Sequence, residues 1–271
     1  MPYCSKCGTK LDEDTKFCPK CGAPTGVAIK VTSSEPPGKS SKKPLNSLII
    51  ALIVIISVIV IIGLISTVFF LGVFPFERRV GSGNLVTREE FITDFTSVNA
   101  ESGFIVVISQ SNTYSIVVTA DDNVIDYVDI SKSGDTLNVG VDWGTFLSST
   151  TLKIEITMPK LSRLELSSGS QGLVEEFSSE AVSIDLSSGS QLTGHGETES
   201  LDVNLSSGSQ LDFSDFRTSD VIVNLSGGSQ ATINLDGTLN ADLSGGSQLT
   251  YIGNPTLQNV ETSGGSSIKQ K

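Results

Sequence analysis

The four cysteines of this chain all lie close to its N-terminus, in two pairs of the kind that binds metal. Cys4 and Cys7 form the first pair, and Cys18 and Cys21 form the second, which gives the pattern C-x2-C-x10-C-x2-C. Each pair makes a tight turn that directs two sulfur atoms towards one point, and a glycine follows each pair, where a positive φ is easily adopted. Four thiolates complete a tetrahedral zinc shell and leave no position for water. The spacing therefore predicts a structural zinc site.

Residues 1–25 have almost no apolar core, so metal binding would supply their folding energy. Tyr3 and Phe17 precede the two cysteine pairs and are expected to cover the metal. Two disulfides would need an oxidising compartment, a thioredoxin-like redox motif would need a βαβ context, and ten residues between the pairs are too few for the iron site of rubredoxin. The segment resembles the short zinc-ribbon domains at the start of many bacterial and archaeal membrane proteins.

A long run without any charged residue follows at 48–74, with the sequence LIIALIVIISVIVIIGLISTVFFLGVF. As a helix it would be roughly 40 Å long, which is enough to cross roughly 30 Å of hydrocarbon with tilt. It is too long for a signal peptide, starts too far along the chain and lacks a small-residue cleavage site. We therefore expect a permanent transmembrane helix. Residues 26–47, rich in Pro, Ser and Lys, are expected to be a flexible basic linker.

The charges indicate how the chain would cross the membrane. Residues 1–47 carry eight basic and four acidic residues, whereas residues 77–271 carry ten basic and 26 acidic ones. Lysines at 39, 42 and 43 precede the apolar run, so the positive-inside rule predicts a cytoplasmic N-terminus and an extracellular C-terminal domain at the cell membrane. Reduced cysteines agree with this orientation. The net charge of −12 argues against a nucleic-acid partner.

The C-terminal part is a repeat, marked by a Ser-Gly motif that recurs at nearly constant intervals. The glycines that mark it are Gly169, Gly189, Gly208, Gly228, Gly246 and Gly265. Before each motif, apolar and polar residues alternate, which predicts a strand with one buried face. We expect each module to form one coil of a parallel β-helix, with a strand of about five residues, a Ser-Gly turn and a second short strand. The predicted interior column, at about 4.8 Å per step, consists of Leu166, Leu186, Leu205, Leu225 and Leu243.

Two further columns of polar residues recur at the same intervals. The first could be a recognition stripe or a hydrogen-bonded amide ladder, and consists of Gln171, Gln191, Gln210, Gln230 and Gln248. The second could bind Ca²⁺, although no DxDxD loop accompanies it, and consists of Glu165, Asp185, Asn204, Asn224, Asp242 and Glu261. Asn204 and Asn224 also begin glycosylation sequons, which the repeat itself produces.

Residues 80–160 are less regular and are expected to cap one end of the β-helix. Strands are predicted at 104–108, 114–119, 137–141 and 152–157, with a short helical turn within 121–127. This part carries the most specific resemblance, through the segments GSGN at 81–84, FTSV at 95–98, FIVVI at 104–108, YSIVV at 114–118, ADD at 120–122, TL at 136–137 and MP at 158–159.

Together with the repeated SGSQ coils, these segments resemble the GIN domain family, the auto-transporter adhesin head domain. The resemblance covers roughly residues 81–270 and implies a right-handed parallel β-helix. This agrees with the mainly β solenoid domain that we expect over 80–271, with a capping part at 80–160 and regular coils at 161–271. The family has no established catalytic residues to carry over.

The sequence favours a binding protein over an enzyme. The chain has a single histidine, His195, in what we interpret as a solvated loop between coils, and only Arg217 as a base on the repeat faces. We expect a single-pass surface protein whose β-helical ectodomain binds a glycan or a protein, with a cytoplasmic structural zinc ribbon and the lipid bilayer as a further partner. The alternative is an envelope-sensing protein whose zinc ribbon contacts a cytoplasmic partner.

Overall fold

The computed structural model describes residues 3–12, 16–24, 54–61, 63 and 77–271. These residues belong to two compact units, Met1–Ser66 and Thr67–Lys271. Residues 54–61 and 63 are α-helical, and within the described ranges we find no helix that is both long and apolar enough to cross a bilayer. Apart from that helical stretch, the predicted transmembrane helix at 48–74 and the linker at 26–47 lie outside the described residues.

The second unit is built from β-strands and one turn of 3₁₀ helix at Ile125–Tyr127. The strands before the repeat are β1 Glu77–Val80, β2 Leu85–Glu90, β3 Ser97–Ala100, β4 Ile105–Gln110, β5 Ser115–Asp121, β6 Val128–Ser133, β7 Thr136–Val141, β8 Thr145–Ser148 and β9 Leu152–Met158. Those of the repeat are β10 Arg163–Leu166, β11 Gln171–Leu186, β12 Gln191–Leu205, β13 Gln210–Leu225, β14 Gln230–Leu235, β15 Thr238–Leu243, β16 Gln248–Ile252, β17 Thr256–Thr262 and β18 Ser267–Gln270.

The repeat folds into a β-solenoid of about 5 turns, which confirms the prediction of a solenoid. All pairings among β10 to β18 are parallel, so identical positions of successive modules lie side by side. Leu186 pairs with Leu166 on one side and with Leu205 on the other. The five leucines of the predicted interior column are all buried. Stacked apolar columns of this kind give a solenoid one continuous core.

The strands of the middle coils are longer than the sequence predicts. β11, β12 and β13 each continue without a break from one Ser-Gly turn to the next. We expected two short strands per coil, but the second corner is a bend or bulge that keeps the pairing, with register shifts such as the one between Val174 and Phe177. Only the later coils break there, at 236–237 and 253–255.

The Ser-Gly motif forms the tight corner of each coil. Ser168 and Gly169 both have positive φ, 55° and 76°, and the N–H of Ser170 donates to the carbonyl of Ser167 at 3.1 Å. Positive φ at both central positions is the requirement of a type I′ turn. The buried Ser170 hydroxyl donates to the same carbonyl at 2.8 Å, so the polar corner is satisfied inside the fold. The same hydroxyl bond recurs at Ser190, Ser209, Ser229 and Ser247.

Aromatic rings fill the solenoid at its second corner. Phe213 and Phe216 are buried and stacked, with ring centroids 4.5 Å apart. Gly194 lies in the preceding coil, and a Cβ atom at this position would come within 2.5 Å of the Phe213 ring. Val174 pairs with Gly194 in the preceding coil, so the glycine is the small member of an otherwise bulky column. The absence of a side chain at 194 therefore makes room for the ring.

Antiparallel strands cover the N-terminal end of the solenoid. β5 is antiparallel to both β2 and β9, and β6 is antiparallel to β7. Arg88 on β2 donates to the carbonyls of Ile125 and Val128, at 2.8 and 2.9 Å, and so holds the 3₁₀ turn against the sheet. The four strands and the helical turn predicted in this part are confirmed. At the other end, the strands β17 and β18 are largely exposed.

A buried carboxylate ties the start of the second unit to the cap. Asp121 accepts N–H bonds from Gly83 at 2.6 Å and from Thr151 at 2.8 Å. The bonds from Thr151 and Gly83 lower the pKa of Asp121, against the opposing effect of burial. Because the folded-state pKa is lowered, this stabilisation is present above the unfolded value of about 3.9 and is lost as the pH falls through the folded pKa.

We therefore expect Asp121→Asn to reduce the free energy of unfolding at pH 7 and to weaken its decline between about pH 5 and pH 2. Urea unfolding at several pH values measures both effects. Asp129→Asn, at an exposed position, is the matched control and should leave the pH dependence unchanged. Equal pH profiles for Asp121→Asn and the unmodified chain would contradict the role assigned to this carboxylate.

One interior hydroxyl has no hydrogen-bond partner among the described residues. Thr198 and Thr218 are buried neighbours in successive coils, but the Thr198 hydroxyl donates to the Ser200 carbonyl at 3.2 Å whereas the Thr218 hydroxyl has no acceptor. A buried unsatisfied hydroxyl costs on the order of 1 kcal/mol or more. Thr218→Val is therefore expected to stabilise the chain by about 1 kcal/mol in urea unfolding. Thr198→Val should be destabilising, and a similar loss from both variants would contradict the assignment.

Candidate metal centre and polar solenoid groove

Two similar loops present the four cysteines. The N–H of Gly8 donates to the Cys4 carbonyl at 2.8 Å, and the N–H of Gly22 donates to the Cys18 carbonyl at 2.9 Å. Both glycines have positive φ, 68° and 67°, as the sequence predicts for the residue after each pair. A short antiparallel bridge closes each loop, Tyr3 with Lys10 and Phe17 with Pro24. The two loops are thus structural copies of each other.

The sulfur atoms of the four cysteines lie within 4.8 Å of one another. Cys4 Sγ is 3.6 Å from Cys21 Sγ, and Cys7 Sγ is 3.6 Å from Cys18 Sγ. A tetrahedral site with Zn–S bonds of about 2.3 Å requires sulfur atoms about 3.8 Å apart. The arrangement therefore fits a zinc ion, and it is too wide for disulfides, whose sulfur atoms are about 2.05 Å apart.

The protonation of the thiols shows why a cation suits this site. Hydrogen bonds from the Thr9 hydroxyl and the Thr9 N–H lower the pKa of Cys7 to about 6. At Cys21, the N–H of Ala23 lowers the pKa, but the neighbouring Cys7 sulfur and burial outweigh it and raise the pKa to about 12. Four adjacent thiols cannot all ionise by themselves, whereas a bound divalent cation makes all four thiolates favourable.

The expectation that Tyr3 and Phe17 cover the metal is wrong. Their side chains are 64% and 63% exposed. Leu11 covers the site instead, because it is buried in one small cluster with Cys4 and Cys18. Sequence reasoning missed Leu11, although it is the one aliphatic residue with a large side chain between the two cysteine pairs.

The outward column of acids and amides, from Glu165 to Asp242, lines a groove of about 500 Å³ along the solenoid, which we call the polar groove. The column is in register from Glu165 to Glu261, as predicted. The corner serines beside it complete the lining: Ser187, Ser206, Ser226 and Ser244. The groove thus repeats one arrangement of carboxylate or amide and hydroxyl groups over successive coils.

The side chains at the start of the outward column form ion pairs, whereas those in its middle form a hydrogen bond. Arg163, which sequence reasoning overlooked, lies 3.0 Å from Asp185 and 3.8 Å from Glu165. Asn224 donates an amide N–H to the Asn204 side-chain oxygen at 2.9 Å. The arginine offsets the first acids, and the amide pair occupies the middle. Asn224 Nδ2, the atom to which a glycan would be attached, takes part in this bond.

The glutamine column is in register but does not form the predicted amide ladder. Gln191 pairs with Gln171 on one side and with Gln210 on the other. All five glutamines are described and exposed, yet the structure shows no hydrogen bond between their side chains. The hydrogen bonds between side-chain amides of neighbouring coils instead join asparagines, Asn204 with Asn224 and Asn240 with Asn259. The glutamine column, exposed along its length, keeps its side chains available to a partner.

His195 lies within β12 rather than in a loop between coils, so that interpretation is corrected. A register shift between Thr193 and His195 accounts for the glycines on either side of the histidine. The imidazole is half-exposed, and its Nδ1 is 4.0 Å from an Asp215 carboxylate oxygen. Arg217 lies on the next coil beside a second groove that is lined mainly by serines and acids.

Two family models match the chain. The model described as "Putative auto-transporter adhesin, head GIN domain" matches residues 94–255, which is more than half of the chain. The model described as "zinc-ribbon domain" matches residues 3–25, the segment that contains the four cysteines. No sequence among the curated proteins matches the chain.

Several solved structures are similar to the chain. A "putative adhesin" from Bacteroides fragilis NCTC 9343 is 17% identical, covers 71% of this chain and 100% of its own, and has a TM-score of 0.58. A "putative lipid binding protein" from Parabacteroides distasonis ATCC 8503 is 17% identical, with coverage of 72% and 100% and a TM-score of 0.49. At this identity, the similarity to the first structure shows a shared fold.

Proposed function

Because the chain belongs to the family of the auto-transporter adhesin head GIN domain and begins with a zinc-ribbon domain, we propose that it is a single-pass membrane protein that displays a non-enzymatic binding domain at the cell surface. Residues 48–74 are the membrane anchor of this proposal. They contain no ionisable group, which is the composition that a lipid-embedded helix needs. The solenoid is then extracellular, and the zinc ribbon is cytoplasmic.

The zinc ribbon has a structural role in this proposal. Cys4, Cys7, Cys18 and Cys21 bind one zinc ion, which the spacing of their sulfur atoms supports. Four cysteine ligands leave no open coordination position, so the ion stabilises the fold and does not activate water. Reduced cysteines are expected on the cytoplasmic side, where thiols are kept from oxidation.

The single observation that carries the binding role is the polar groove. It presents carboxylate, amide and hydroxyl groups at one spacing over successive coils, as a repetitive ligand would require. Its walls are rigid, because each polar residue alternates with a buried apolar one on the same strand. A glycan or a protein with repeated hydrogen-bonding groups is the ligand class that this surface suits.

The second candidate is envelope sensing through the zinc ribbon. Tyr3 and Phe17 each lie one residue before a cysteine pair, and their side chains are mostly exposed rather than packed on the metal site. Exposed aromatic side chains are enriched in protein–protein contacts. If the ribbon contacts a cytoplasmic protein, replacing both aromatic residues by serine should abolish the binding of that protein. The zinc content of the ribbon and ligand binding by the solenoid should be unchanged.

The anchor and its orientation can be tested with the full chain in sealed vesicles or cells. A membrane-impermeant maleimide, added after zinc is chelated, should label the cysteines only from the cytoplasmic side. Labelling from the outside would contradict the proposed topology.

A glycan array probed with the full chain in nanodiscs tests binding by the solenoid. Asn224→Arg should abolish any signal on the array by filling the polar groove. Binding that is unchanged in Asn224→Arg would exclude the groove as the binding surface.

A further inference from the structure

An exposed apolar face lies where the chain enters the second unit. β1 and β8 form a separate two-stranded parallel sheet in which Arg78 pairs with Phe146 and Val80 pairs with Ser148. Side chains alternate between the two faces of a strand. Leu147 packs against the core on the inner face, so Arg78, Val80 and Phe146 share the outer face. Phe146 and Val80 are 56% and 57% exposed there.

The only tryptophan of the chain lies beside this face. Trp143 is in the turn that leads into β8, where the N–H of Thr145 donates to the Asp142 carbonyl at 3.1 Å. Its side chain is 83% exposed. Single exposed apolar residues are common on protein surfaces, whereas contiguous apolar patches mark interaction sites. We call Arg78, Val80, Trp143 and Phe146 the entry patch.

The distance along the chain places the entry patch close to the membrane. Glu77, the first residue of β1, is only three residues after Phe74, where the apolar run ends. Three residues span at most about 11 Å. Glu77 pairs with Thr145, and Trp143 lies two residues before Thr145 in the chain. If residues 48–74 span the bilayer, the patch begins within reach of the headgroup region, where tryptophan is enriched.

We propose that the entry patch inserts into the headgroup region of the bilayer that holds the anchor, and so fixes the orientation of the solenoid on the membrane. This inference rests on the proposed membrane anchor. Trp143 and Phe146 enter the interface, and Arg78 contacts lipid phosphates.

Because Trp143 is the only tryptophan, its fluorescence reports on the patch alone. The full chain is reconstituted in phosphatidylcholine vesicles, with or without lipid brominated at carbons 6 and 7 of one acyl chain. We expect brominated lipid to reduce Trp143 emission at least two-fold and aqueous iodide to have little effect. In the matched control, Trp143→Phe with Phe91→Trp, the indole moves to an exposed position at the far end of β2. Iodide should quench that variant, and brominated lipid should not.

The outcomes separate the inference from the proposal beneath it. Chain that stays in the vesicles after alkaline carbonate treatment, but whose Trp143 is quenched by iodide and not by brominated lipid, overturns the membrane contact and leaves the anchor in place. Chain that carbonate releases from the vesicles overturns the anchor and the contact together. Equal lipid quenching of Trp143 and of the Phe91→Trp control shows contact that is not specific to the patch, and also overturns the inference.

Discussion

Replacing Cys18 by serine is expected to remove zinc from the chain and to unfold residues 3–24. Apparent zinc-binding free energies of about 10–16 kcal/mol at pH 7 are typical of small cysteine-ligated domains. Among the described residues of this segment, only Leu11 and Ala23 pack against the buried cysteines. Metal analysis of the purified chain should therefore fall from about one zinc per chain to near zero. Ser5→Ala, within the first knuckle, is the matched control and should retain the metal.

The effect should be confined to the first unit. The solenoid has its own core and forms a separate compact unit, so its cooperative thermal unfolding should be unchanged in Cys18→Ser. Acidification should release zinc as well, because protons compete with the metal for the thiolates. Full zinc content in Cys18→Ser would show that the metal is held elsewhere.

Gly194→Val is expected to destabilise the solenoid by about 3 kcal/mol, at the upper end of the cost of overpacking a core. A Cβ atom at position 194 would lie 2.5 Å from the Phe213 ring, and the ring cannot retreat because it is stacked on Phe216. Gly194 is not held at positive φ, so the loss would come from packing rather than from backbone strain. Urea unfolding followed by circular dichroism measures the change.

A second substitution tests that interpretation. Phe213→Val alone should cost about 2–3 kcal/mol by leaving a cavity. In the double variant, Gly194→Val with Phe213→Val, both positions carry valine, as position 174 of the same column already does. The volume added at 194 is then partly offset by the volume removed at 213. The two losses should therefore be less than additive, with a coupling energy of about 1–3 kcal/mol. Additive losses would show that Gly194 is required for a reason other than the space taken by Phe213.

The repetitive part of this fold is predictable because every module repeats the same burial pattern. Leu166 and its four equivalents are found in the interior column at the positions that alternation assigns to them. The corner is signalled by the glycine of each Ser-Gly motif, which adopts positive φ readily, and the residue before it also has positive φ, as at Ser168, Ser188 and Ser207. Strand length was not predictable, because bulges near Gly194 and Gly196 keep the pairing where the glycines indicated a loop.

The features that sequence reasoning missed depend on contacts between distant segments. Nothing local indicates that β1 pairs with β8, since β2 to β7 lie between them in the chain, or that Leu11 rather than Tyr3 packs beside the cysteines. Which amide side chains form hydrogen bonds between coils was also undetermined, since Asn204 and Gln191 belong to columns that recur at the same intervals. The shorter asparagine side chain holds its amide close to the strand, where it meets the equivalent amide of the next coil at 2.9 Å.

The identical corners have a consequence for how this domain can change in length. Every coil closes with the same turn and offers its neighbour the same backbone edge. Duplication of a complete unit, from one Ser-Gly turn to the next, would therefore lengthen the protein by one layer without creating a new kind of junction. A deletion within the strand that precedes a turn would move that coil's columns out of register, whereas the second corner already absorbs small differences in length between units. Growth by whole copies is thus the evolutionary path that this architecture leaves open.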